Sequence, residues 1–218
     1  MTAAGNLLAL DIAFGAAYAC INRRDGSNFS LQTESQRPHS QAIMPMLENL
    51  LEMSALSWSD LEMLACGIGP GSFTGLRIAA ATVSGINSQL KLPVLEISSL
   101  AISAAQVEHD APLYIIEDAR SGMAYVGHYQ RHIMLQKDAC VAWDEIAARP
   151  AGIYSACQAD NQHLAQWQYI APQYERPQAM VKLLASMCEN ISNTDALPRN
   201  PRPAYINPSQ AERHARSQ

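Results

Sequence analysis

Short apolar runs separated by polar turns divide the first part of the chain. Residues 7–12, 16–22 and 29–33 form three such runs, and the turn at residues 23–26 contains a glycine. Runs of this length with β-branched or aromatic side chains and tight turns predict three sequential strands that pair antiparallel. The first run is apolar on both faces, which is typical of a central strand.

A longer segment follows in which apolar residues recur at helical spacing, and this pattern predicts a helix. We expect this helix to begin between Ser40 and Met44 and to end near Ser54. Pro45 limits the start, because proline is tolerated in the first turn of a helix but kinks a helix in which it lies further inside.

Strands and helices then alternate along the chain. The pattern predicts a strand at residues 63–68 and a second helix at residues 76–88. A strand at residues 93–97 and a short helix that ends at residue 105 follow. Ser98 or Ser99 is the candidate cap of the short helix. The first half therefore reads β-β-β-α-β-α-β-α, a mixed sheet covered by helices.

The second half carries a weaker pattern, and residues 133–200 give little signal. Polar residues 106–112 are the best linker candidate. The pattern predicts two strands joined by residues 118–122 and then three helices: strands at 113–117 and 123–129, helices at 143–148, 162–167 and 178–190. From residue 197 the chain is rich in proline and arginine, so we expect an extended or loosely attached end.

Composition limits the classes of function. The chain has 218 residues, 48% of them apolar and 16% charged, which is enough apolar material for a core and argues against disorder. The formal net charge is −5 and no long Lys/Arg cluster occurs, so binding of nucleic acid by this chain alone is disfavoured. The start lacks a signal-peptide pattern, and we expect a cytoplasmic protein. The five cysteines, without a C-x-x-C pair, are expected to be reduced thiols: Cys20, Cys66, Cys140, Cys157 and Cys188.

A glycine-rich loop at residues 69–75 is the most informative stretch. It joins a predicted strand to a predicted helix, where backbone N–H groups are able to hold an anion. It is neither a Walker A loop nor a dinucleotide fingerprint. The alternative is a tight turn that lets the helix pack closely, which the small residues of the next helix favour. If the loop binds phosphate, the candidate residues are Asp11, Gly69, Gly71, Ser72, Thr74 and Gly75.

The loop and the residues after it resemble the signature of the TsaB (YeaZ) family. Residues 69–78 read Gly-Pro-Gly-Ser-Phe-Thr-Gly-Leu-Arg-Ile, and this match is highly specific. Four weaker matches follow the family order: Asp11-Ile12-Ala13, His39-Ser40-Gln41 with Met44-Pro45-Met46, Asp118-Ala119-Arg120, and Pro203-Ala204-Tyr205-Ile206. Together the matches span nearly the whole chain.

The resemblance implies an α/β fold of the actin/sugar-kinase/Hsp70-like (ASKHA) type, with mixed sheets flanked by helices in two lobes. We expect an N-terminal lobe at residues 1–105 and a smaller or degenerate C-terminal lobe with an extended tail at 106–218. It also implies a non-catalytic subunit that binds and activates TsaD, which transfers a threonylcarbamoyl group to the adenosine beside the anticodon of tRNA.

Further partners are implied by the same resemblance. The ATPase TsaE joins the two subunits, and tRNA is bound only through the complex. In the absence of TsaD, a second copy of this chain is the alternative partner, as a homodimer. The chain has no cofactor of its own, and ATP or ADP is expected at most at the subunit boundary. Other classes stay open: an actin-fold ATPase or kinase, a glycoprotease-like peptidase acting alone, and a homodimeric nucleotide-binding module.

The sequence contains few candidate catalytic residues. Asp11 follows the first strand, as an acid of actin-like phosphotransferases would, but Ile12 replaces the adjacent hydroxyl, and a lone Asp there is more often a turn or cap residue. Asp118 and Arg120 form a close charged pair in a turn that the resemblance places near the cleft, and they are weak candidates.

Metal and nucleophile patterns are equally sparse. The six histidines include one pair at helical spacing, His128 and His132, but that segment reads as a strand, so a shared ligand face is not expected. The sequence has neither His-Glu-x-x-His nor Gly-x-Ser-x-Gly. Ser72 and Thr74 lack a partner base, and capping is the expected role. We therefore predict no catalytic and no metal residues.

The first helix carries more apolar surface than one sheet requires. Its apolar residues cover an arc of roughly 180°, whereas a helix on a sheet needs about 100°. Either a second helix of the lobe or a partner covers the surplus, and the resemblance favours a partner. The predicted interface residues are Met44, Leu47, Leu50, Leu51, Ala80 and Ser84. Glutamate at Leu47 or Leu51 is then expected to abolish pairing and leave the monomer folded.

Overall fold

Two five-stranded mixed sheets and five α-helices make up the part of the chain that the structure describes. The computed structural model describes residues 5–33, 39–156, 162–191 and 193–206, without the side chains of residues 39 and 40. Within these ranges the strand orders are β3-β2-β1-β4-β5 and β10-β9-β6-β7-β8.

The first sheet contains the strands of the N-terminal half. Its five strands are β1 (Leu7–Asp11), β2 (Tyr18–Asn22), β3 (Asn28–Gln32), β4 (Met63–Gly69) and β5 (Val94–Ser98). β1, β2 and β3 pair antiparallel, whereas β4 lies parallel to both β1 and β5. Every residue of β1 is buried. These observations confirm the predicted antiparallel run of three strands and the central place of the first.

Helices cover both faces of this sheet because β1 is apolar on both. The helices of this half are α1 (His39–Met53), α2 (Phe73–Leu90) and α3 (Ser99–Ala105). Leu8 and Leu10 lie in one apolar cluster with residues of α1 and α2. Leu7 and Ala9 lie in a second cluster with α3 and with α5 (Arg176–Glu189).

Pro45 lies inside α1, beyond its first turn. The helix begins at residue 39, one residue before the range predicted for its start, which began at Ser40. Proline removes the hydrogen bond that the carbonyl four residues earlier would accept. That residue, Gln41, is exposed, as is Pro45, so water can reach the unpaired carbonyl. The cost of the proline is therefore modest at this position.

The second sheet contains strands that the sequence pattern only partly predicts. It comprises β6 (Leu113–Arg120), β7 (Met123–Gln130), β8 (Ile133–Ala142), β9 (Ile153–Ser155) and β10 (Gln168–Tyr169). The last three were not predicted. A helix, α4 (Trp143–Ala147), follows β8 as expected, whereas the helix predicted at 162–167 is only a 3-10 turn at Gln162–Leu164.

α3 and α5 lie between the two sheets. Residues of both helices share one apolar cluster with Leu113, Ile115 and Tyr129 of the second sheet. Two mixed sheets flanked by helices in this order are the predicted two-lobed ASKHA architecture. The division at residue 105 separates the sheets along the chain, but it stays a prediction as a lobe boundary, since α5 also covers β2 and β3.

The segment after residue 197 returns to the first sheet. The N–H of Val94 donates to the carbonyl of Pro198 (2.8 Å), and the N–H of Ala204 donates to that of Ile68 (2.7 Å). The side chain of Asn87 donates to the carbonyl of Arg199 (2.5 Å). The segment is extended, as predicted, but loose attachment is wrong up to residue 206, because backbone groups anchor it. Residues 207–218 lie outside the described part.

As for membranes, none of the helices in the described ranges combines the length and the apolar character that crossing a bilayer requires.

Candidate functional site

The glycine loop packs closely against the connection that follows β1. Ser72 is the N-cap of α2, and its hydroxyl accepts the N–H of Gly75 (3.3 Å). A Cβ atom on Gly75 would lie 2.0 Å from the carbonyl oxygen of Ile12, and one on Gly71 would lie 2.5 Å from the Cβ of Ala13. Glycine is therefore required at both positions by the approach of the two backbones.

The rest of the loop faces solvent or closes the turn. Gly69 has a φ of +110°, in the region that favours glycine. Ser72 and Thr74 are exposed, and the N–H of Ser72 donates to the carbonyl of Ala13 (2.9 Å). These contacts support the close-packing interpretation, in which Ser72 caps the helix. Phosphate binding by the loop stays a prediction.

Asp11 lies in a buried ion pair with Arg176, which the sequence did not indicate. Its Oδ2 accepts hydrogen bonds from Nε (3.1 Å) and Nη2 (2.9 Å) of Arg176, and its Oδ1 accepts one from Ser99 Oγ (2.7 Å). Asp11 is 0% exposed and Arg176 is 4% exposed. A Cβ on Gly67 would lie 2.0 Å from the carboxylate of Asp11. Both oxygens of the carboxylate are thus hydrogen-bonded to groups of its own chain.

Arg176 extends the network from α5 to the second sheet. Its Nη1 donates to Ser103 Oγ (2.8 Å), and that hydroxyl donates to Oε1 of the buried Glu117 in β6 (3.2 Å). The rings of Phe14 and Tyr18 lie 5.1 Å and 5.5 Å from the guanidinium carbon. A buried charge needs this kind of complete pairing, because an unpaired one is strongly destabilising.

Two further polar contacts join the ends of the first sheet to the second. The hydroxyl of Tyr125 in β7 donates to the carbonyl of Gly71 (3.0 Å). Ser98, at the end of β5, donates to Oδ2 of Asp138 in β8 (2.5 Å), and Tyr129 donates to Oδ1 of the same side chain (2.7 Å). The cleft between the sheets is therefore bridged by side chains near the place where β1 and β4 end.

Burial changes the acidity of this second cluster. Burial raises the pKa of the Asp138 carboxyl above its ordinary value, and the hydrogen bonds from Ser98 and Tyr129 offset part of the rise. Burial and the neighbouring Asp138 raise the pKa of the Tyr129 hydroxyl. The cluster consequently favours protonated groups more than exposed residues of these types do.

Asp118 and Arg120 lie at the end of β6, beside the tight turn of Ser121 and Gly122 that leads into β7. Oδ1 of Asp118 accepts the backbone N–H of Arg120 (3.0 Å), and both side chains are exposed. Arg120, Ser121 and Gly122 have φ values of 62°, 52° and 76°. Among the described residues the carboxylate of Asp118 forms no ion pair with the Arg120 guanidinium, so the predicted charged pair is in fact a side-chain cap of the turn. A role in a cleft stays a prediction.

The predicted interface residues separate into buried and accessible ones. Leu47, Leu50 and Leu51 are 0%, 0% and 4% exposed and pack in the cluster between α1 and the first sheet. Their assignment to an interface is wrong, because the sheet already covers them. Glutamate at Leu47 or Leu51 would therefore damage the fold itself.

The other three interface residues differ in accessibility. Met44 is 40% exposed, Ser84 is half-buried and Ala80 is 9% exposed. The surplus apolar surface of α1 is thus limited to Met44 and to Met53, which is 46% exposed. The interface role of Met44, Ala80 and Ser84 stays a prediction.

Metal-ligand and thiol chemistry finds little support in the described ranges. No group of three or more His, Cys, Asp or Glu side chains is placed to hold a metal ion there. His128 stacks on Tyr114 (4.3 Å between ring centroids), whereas His132 contacts Ser186 (2.8 Å), so the two histidines do not share a site. Burial lowers the pKa of His128. His214 and the side chain of His39 lie outside the described part.

The cysteines behave as the composition suggests. Among the described residues, Cys20, Cys66, Cys140 and Cys188 form no disulfide, and Cys157 lies outside them. Burial raises the pKa of Cys20 and Cys66, which disfavours the reactive thiolate.

One signal could have revealed Arg176. The apolar stripe of α5 includes Ala179, Met180 and Leu183, all buried, and Arg176 precedes them at helical spacing on the same face. A cationic side chain on the buried face of a helix requires an acidic partner in the core. Asp11, the acid at the end of a buried strand, could therefore have been predicted as the partner of Arg176.

Comparisons with known proteins agree with one another. Residues 31–194 match the family model described as TsaD: tRNA N6-adenosine threonylcarbamoyltransferase. The tRNA threonylcarbamoyladenosine biosynthesis protein TsaB of Haemophilus influenzae is 36% identical over 128 residues, 57% of this chain and 54% of that protein. The Escherichia coli protein of the same name is 39% identical over 98 residues, 44% of this chain and 42% of that protein. The chain thus spans about half the length of the curated relatives it matches.

Solved structures extend the match over most of the fold. YeaZ from Pseudomonas aeruginosa is 25% identical with a TM-score of 0.73, covering 86% of this chain and 93% of that one. A Pseudomonas aeruginosa protein described as uncharacterized, with similarity to peptidase YeaZ, is 24% identical with a TM-score of 0.77 and covers 94% and 100%. The latter likeness shows the fold alone.

Proposed function

This chain belongs to the TsaD family and, within it, to the TsaB (YeaZ) proteins, and we propose that it serves tRNA threonylcarbamoyladenosine formation as a non-catalytic subunit. In this role it binds TsaD and activates it. The reaction places a threonylcarbamoyl group on the adenosine beside the anticodon. The names of the curated relatives support the pathway.

The buried pair of Asp11 and Arg176 carries the non-catalytic part of the proposal. A metal-bound phosphate would need the carboxylate after β1 to face an open cleft. Here Oδ2 of Asp11 is held by two nitrogens of Arg176 at 3.1 Å and 2.9 Å, and the side chain is 0% exposed. The guanidinium already supplies the positive charge that a bound cation would supply, so the pair supports a structural role for Asp11.

The bridged cleft supports the same conclusion. Tyr125 contacts the backbone of Gly71, and Phe14 packs near Tyr125 (6.4 Å between ring centroids), so side chains meet at this point between the sheets. The alternative of an ATPase or a peptidase acting alone finds no observation in its favour.

The remaining parts of the proposal concern the assembly. We propose that TsaE joins the pair, that tRNA contacts the complex rather than this acidic chain alone, and that any ATP or ADP lies at the subunit boundary. The formal net charge of −5 supports the proposal that tRNA contacts the complex rather than this chain alone. A cytoplasmic location follows from the reaction, and a homodimer is the proposed state without TsaD.

The first test is light scattering on a sizing column, with the chain alone and mixed with TsaD from the same organism. A species with the mass of one copy of each supports the proposal. Separate elution, with and without nucleotide and TsaE, would contradict it.

A second measurement separates activation from catalysis. The rate of threonylcarbamoyladenosine formation by TsaD and TsaE is measured with the wild-type chain and with Thr74→Val and Asp118→Asn. Both side chains are exposed, so the fold is expected to tolerate the changes. We expect unchanged rates. A large loss of kcat with retained pairing would assign a catalytic part to this chain.

A further inference from the structure

Three cationic side chains lie along the β5 edge of the first sheet, where the segment after residue 197 covers it. The N–H of Arg202 donates to Oε1 of Glu96 in β5 (2.6 Å). Nη1 of Arg199 donates to the carbonyl of Lys91 (2.6 Å), the residue that follows α2 as its C-cap. The side chains of Lys91, Arg199 and Arg202 are all exposed. We call these three residues the basic edge.

The backbone that carries the two arginines is fixed on both sides. The carbonyl of Pro198 accepts a hydrogen bond from β5 (2.8 Å), and the N–H of Ala204 donates to β4 (2.7 Å). Prolines on both sides of Arg202 restrict its backbone to extended conformations. Arg199 and Arg202 are therefore at most about 11 Å apart along the segment. A backbone that is already fixed lowers the entropy that binding costs.

The charges of the basic edge have no carboxylate partner. Among the described residues, none of the three forms an ion pair, and the same holds for Arg77 and Arg120. Arg77 and Arg120 lie in other elements, α2 and the end of β6, whereas the three cations of the basic edge lie together. Capping of α2 accounts for the contact of Arg199 with a carbonyl. It does not account for the other two cations.

The sequence concentrates positive charge at the same end of the chain. Residues 197–218 contain four arginines and one glutamate, although the formal net charge of the whole chain is −5. An acidic protein is able to contact a polyanion only where its positive charges are segregated in this way. The sequence shows no run of cations because Lys91 lies 108 residues before Arg199.

The neighbouring side chains are of the types that contact RNA. Asn200 and Tyr205 are exposed on the same segment as the two arginines. Arginine, lysine, asparagine and tyrosine side chains supply most contacts to phosphate oxygens, and an exposed aromatic ring is able to stack on an unpaired base. The chemistry that fits the basic edge is therefore a nucleic-acid backbone.

We propose that the basic edge binds the phosphate backbone of tRNA when this chain is in complex with TsaD. Lys91 and Arg202 donate charge-assisted hydrogen bonds to phosphate oxygens, and the contact does not depend on base sequence. This inference rests on the proposed function, in which tRNA contacts the complex. It adds the part of this acidic chain that touches the RNA.

The test titrates fluorescently labelled, unmodified tRNA with the assembled complex of this chain and TsaD, and anisotropy gives the dissociation constant at several salt concentrations. Lys91→Gln and Arg202→Gln are each expected to weaken binding about 10-fold, as loss of a charge-assisted hydrogen bond does. Each should also lower the slope of log affinity against log salt by about 1. The double variant should lower it by about 2.

Two control variants separate the basic edge from net charge. Arg131→Gln changes the net charge equally, but Arg131 is paired with Asp110 (2.8 Å) beside the second sheet, and it is expected to bind tRNA like wild type. Asp195→Asn removes an exposed negative charge four residues before Arg199 and should tighten binding. Sizing with light scattering checks that every variant still pairs with TsaD.

Four outcomes would overturn the inference. If the Lys91 and Arg202 variants bind tRNA like wild type, the basic edge does not touch the RNA, while the proposed function stands. If Arg131→Gln weakens binding as much, only net charge matters. If the variants lose pairing with TsaD, the edge is a protein contact. If wild type does not pair with TsaD at all, the proposed function fails as well.

Discussion

Asp11 and Arg176 form the most deeply buried ion pair among the described residues. Removing one partner of a buried pair leaves the other charge without compensation, at a cost of about 3–5 kcal/mol. The sequence indicated only one residue of the pair. Asp11 was a candidate because it follows a strand, whereas its partner Arg176 lies 165 residues away and was not predicted. Pairing at that distance depends on the packing of α5, which a local pattern does not specify.

We expect Arg176→Met and Asp11→Leu each to lower the free energy of unfolding by about 3–5 kcal/mol. The double variant should lose less than the sum, because neither charge is then left unpaired. Urea unfolding followed by circular dichroism measures all three. Arg149→Ala is the control, since its pair with Glu145 is at the surface and is worth about 0.5 kcal/mol at most. Losses below about 1 kcal/mol for the single variants would contradict the structural role.

Asp138 should make stability depend on pH. Burial raises its pKa in the folded chain, so the folded state binds more protons than the unfolded state above the ordinary Asp value of about 3.9. The stabilisation is complete below that value and is lost as pH rises through the raised pKa. Relative to wild type, Asp138→Asn should become progressively more stable as pH rises through this window. Urea unfolding at a series of pH values measures the difference, and parallel curves for the two proteins would contradict the burial of the carboxyl.

At the scale of the element, α2 offers a matched pair of glycines. Gly75 faces the carbonyl of Ile12, where a Cβ would lie 2.0 Å away, whereas Gly85 has no atom within 4 Å of a Cβ. Gly75→Ala should therefore destabilise the chain through displacement of the β1 connection. Gly85→Ala should stabilise it by up to about 1 kcal/mol, as alanine is the better helix former.

Thermal and urea unfolding of both variants check this prediction. Equal effects of the two substitutions would mean that the close approach of α2 to the end of β1 is not what requires glycine at position 75.

How well each element was predicted depends on its burial. β1, β2, β4 and β5 were predicted because most of their residues are buried and their apolar runs are continuous, whereas β3, an edge strand without a buried residue, was predicted from the tight turn that joins it to β2. β8 was missed because it is an edge strand: residues 133–137 are exposed, and two register shifts against β7 interrupt the alternation. The wide apolar arc of α1 was attributed to a partner, although Leu47, Leu50 and Leu51 face the first sheet. A helix pattern gives the width of an apolar face but not what covers it.

At the scale of the whole molecule, the bridged cleft predicts how the chain alone responds to nucleotide. Direct contacts from Tyr125 to Gly71 and from Ser98 to Asp138 join the two sheets near the ends of β4 and β5. We expect MgATP to leave the Tm of the isolated chain unchanged. A ligand at 100 times its Kd adds about 2.7 kcal/mol to stability, which would shift the Tm by several degrees.

Differential scanning fluorimetry measures the response, with sodium chloride at matched ionic strength as the control. A shift of several degrees specific to MgATP would mean that the cleft opens and that Asp11 and Arg176 separate.

The position of α5 has a consequence for how the protein is made. This helix covers β2 and β3, and Asn22 donates to the carbonyl of Val181 within it (3.1 Å). When the ribosome has released the first 105 residues, all five strands of the first sheet exist, but part of one apolar face has no cover until α5 emerges about 80 residues later. The nascent chain is thus exposed to aggregation and to chaperones during that interval, and a fragment that ends at residue 105 would keep the uncovered face permanently.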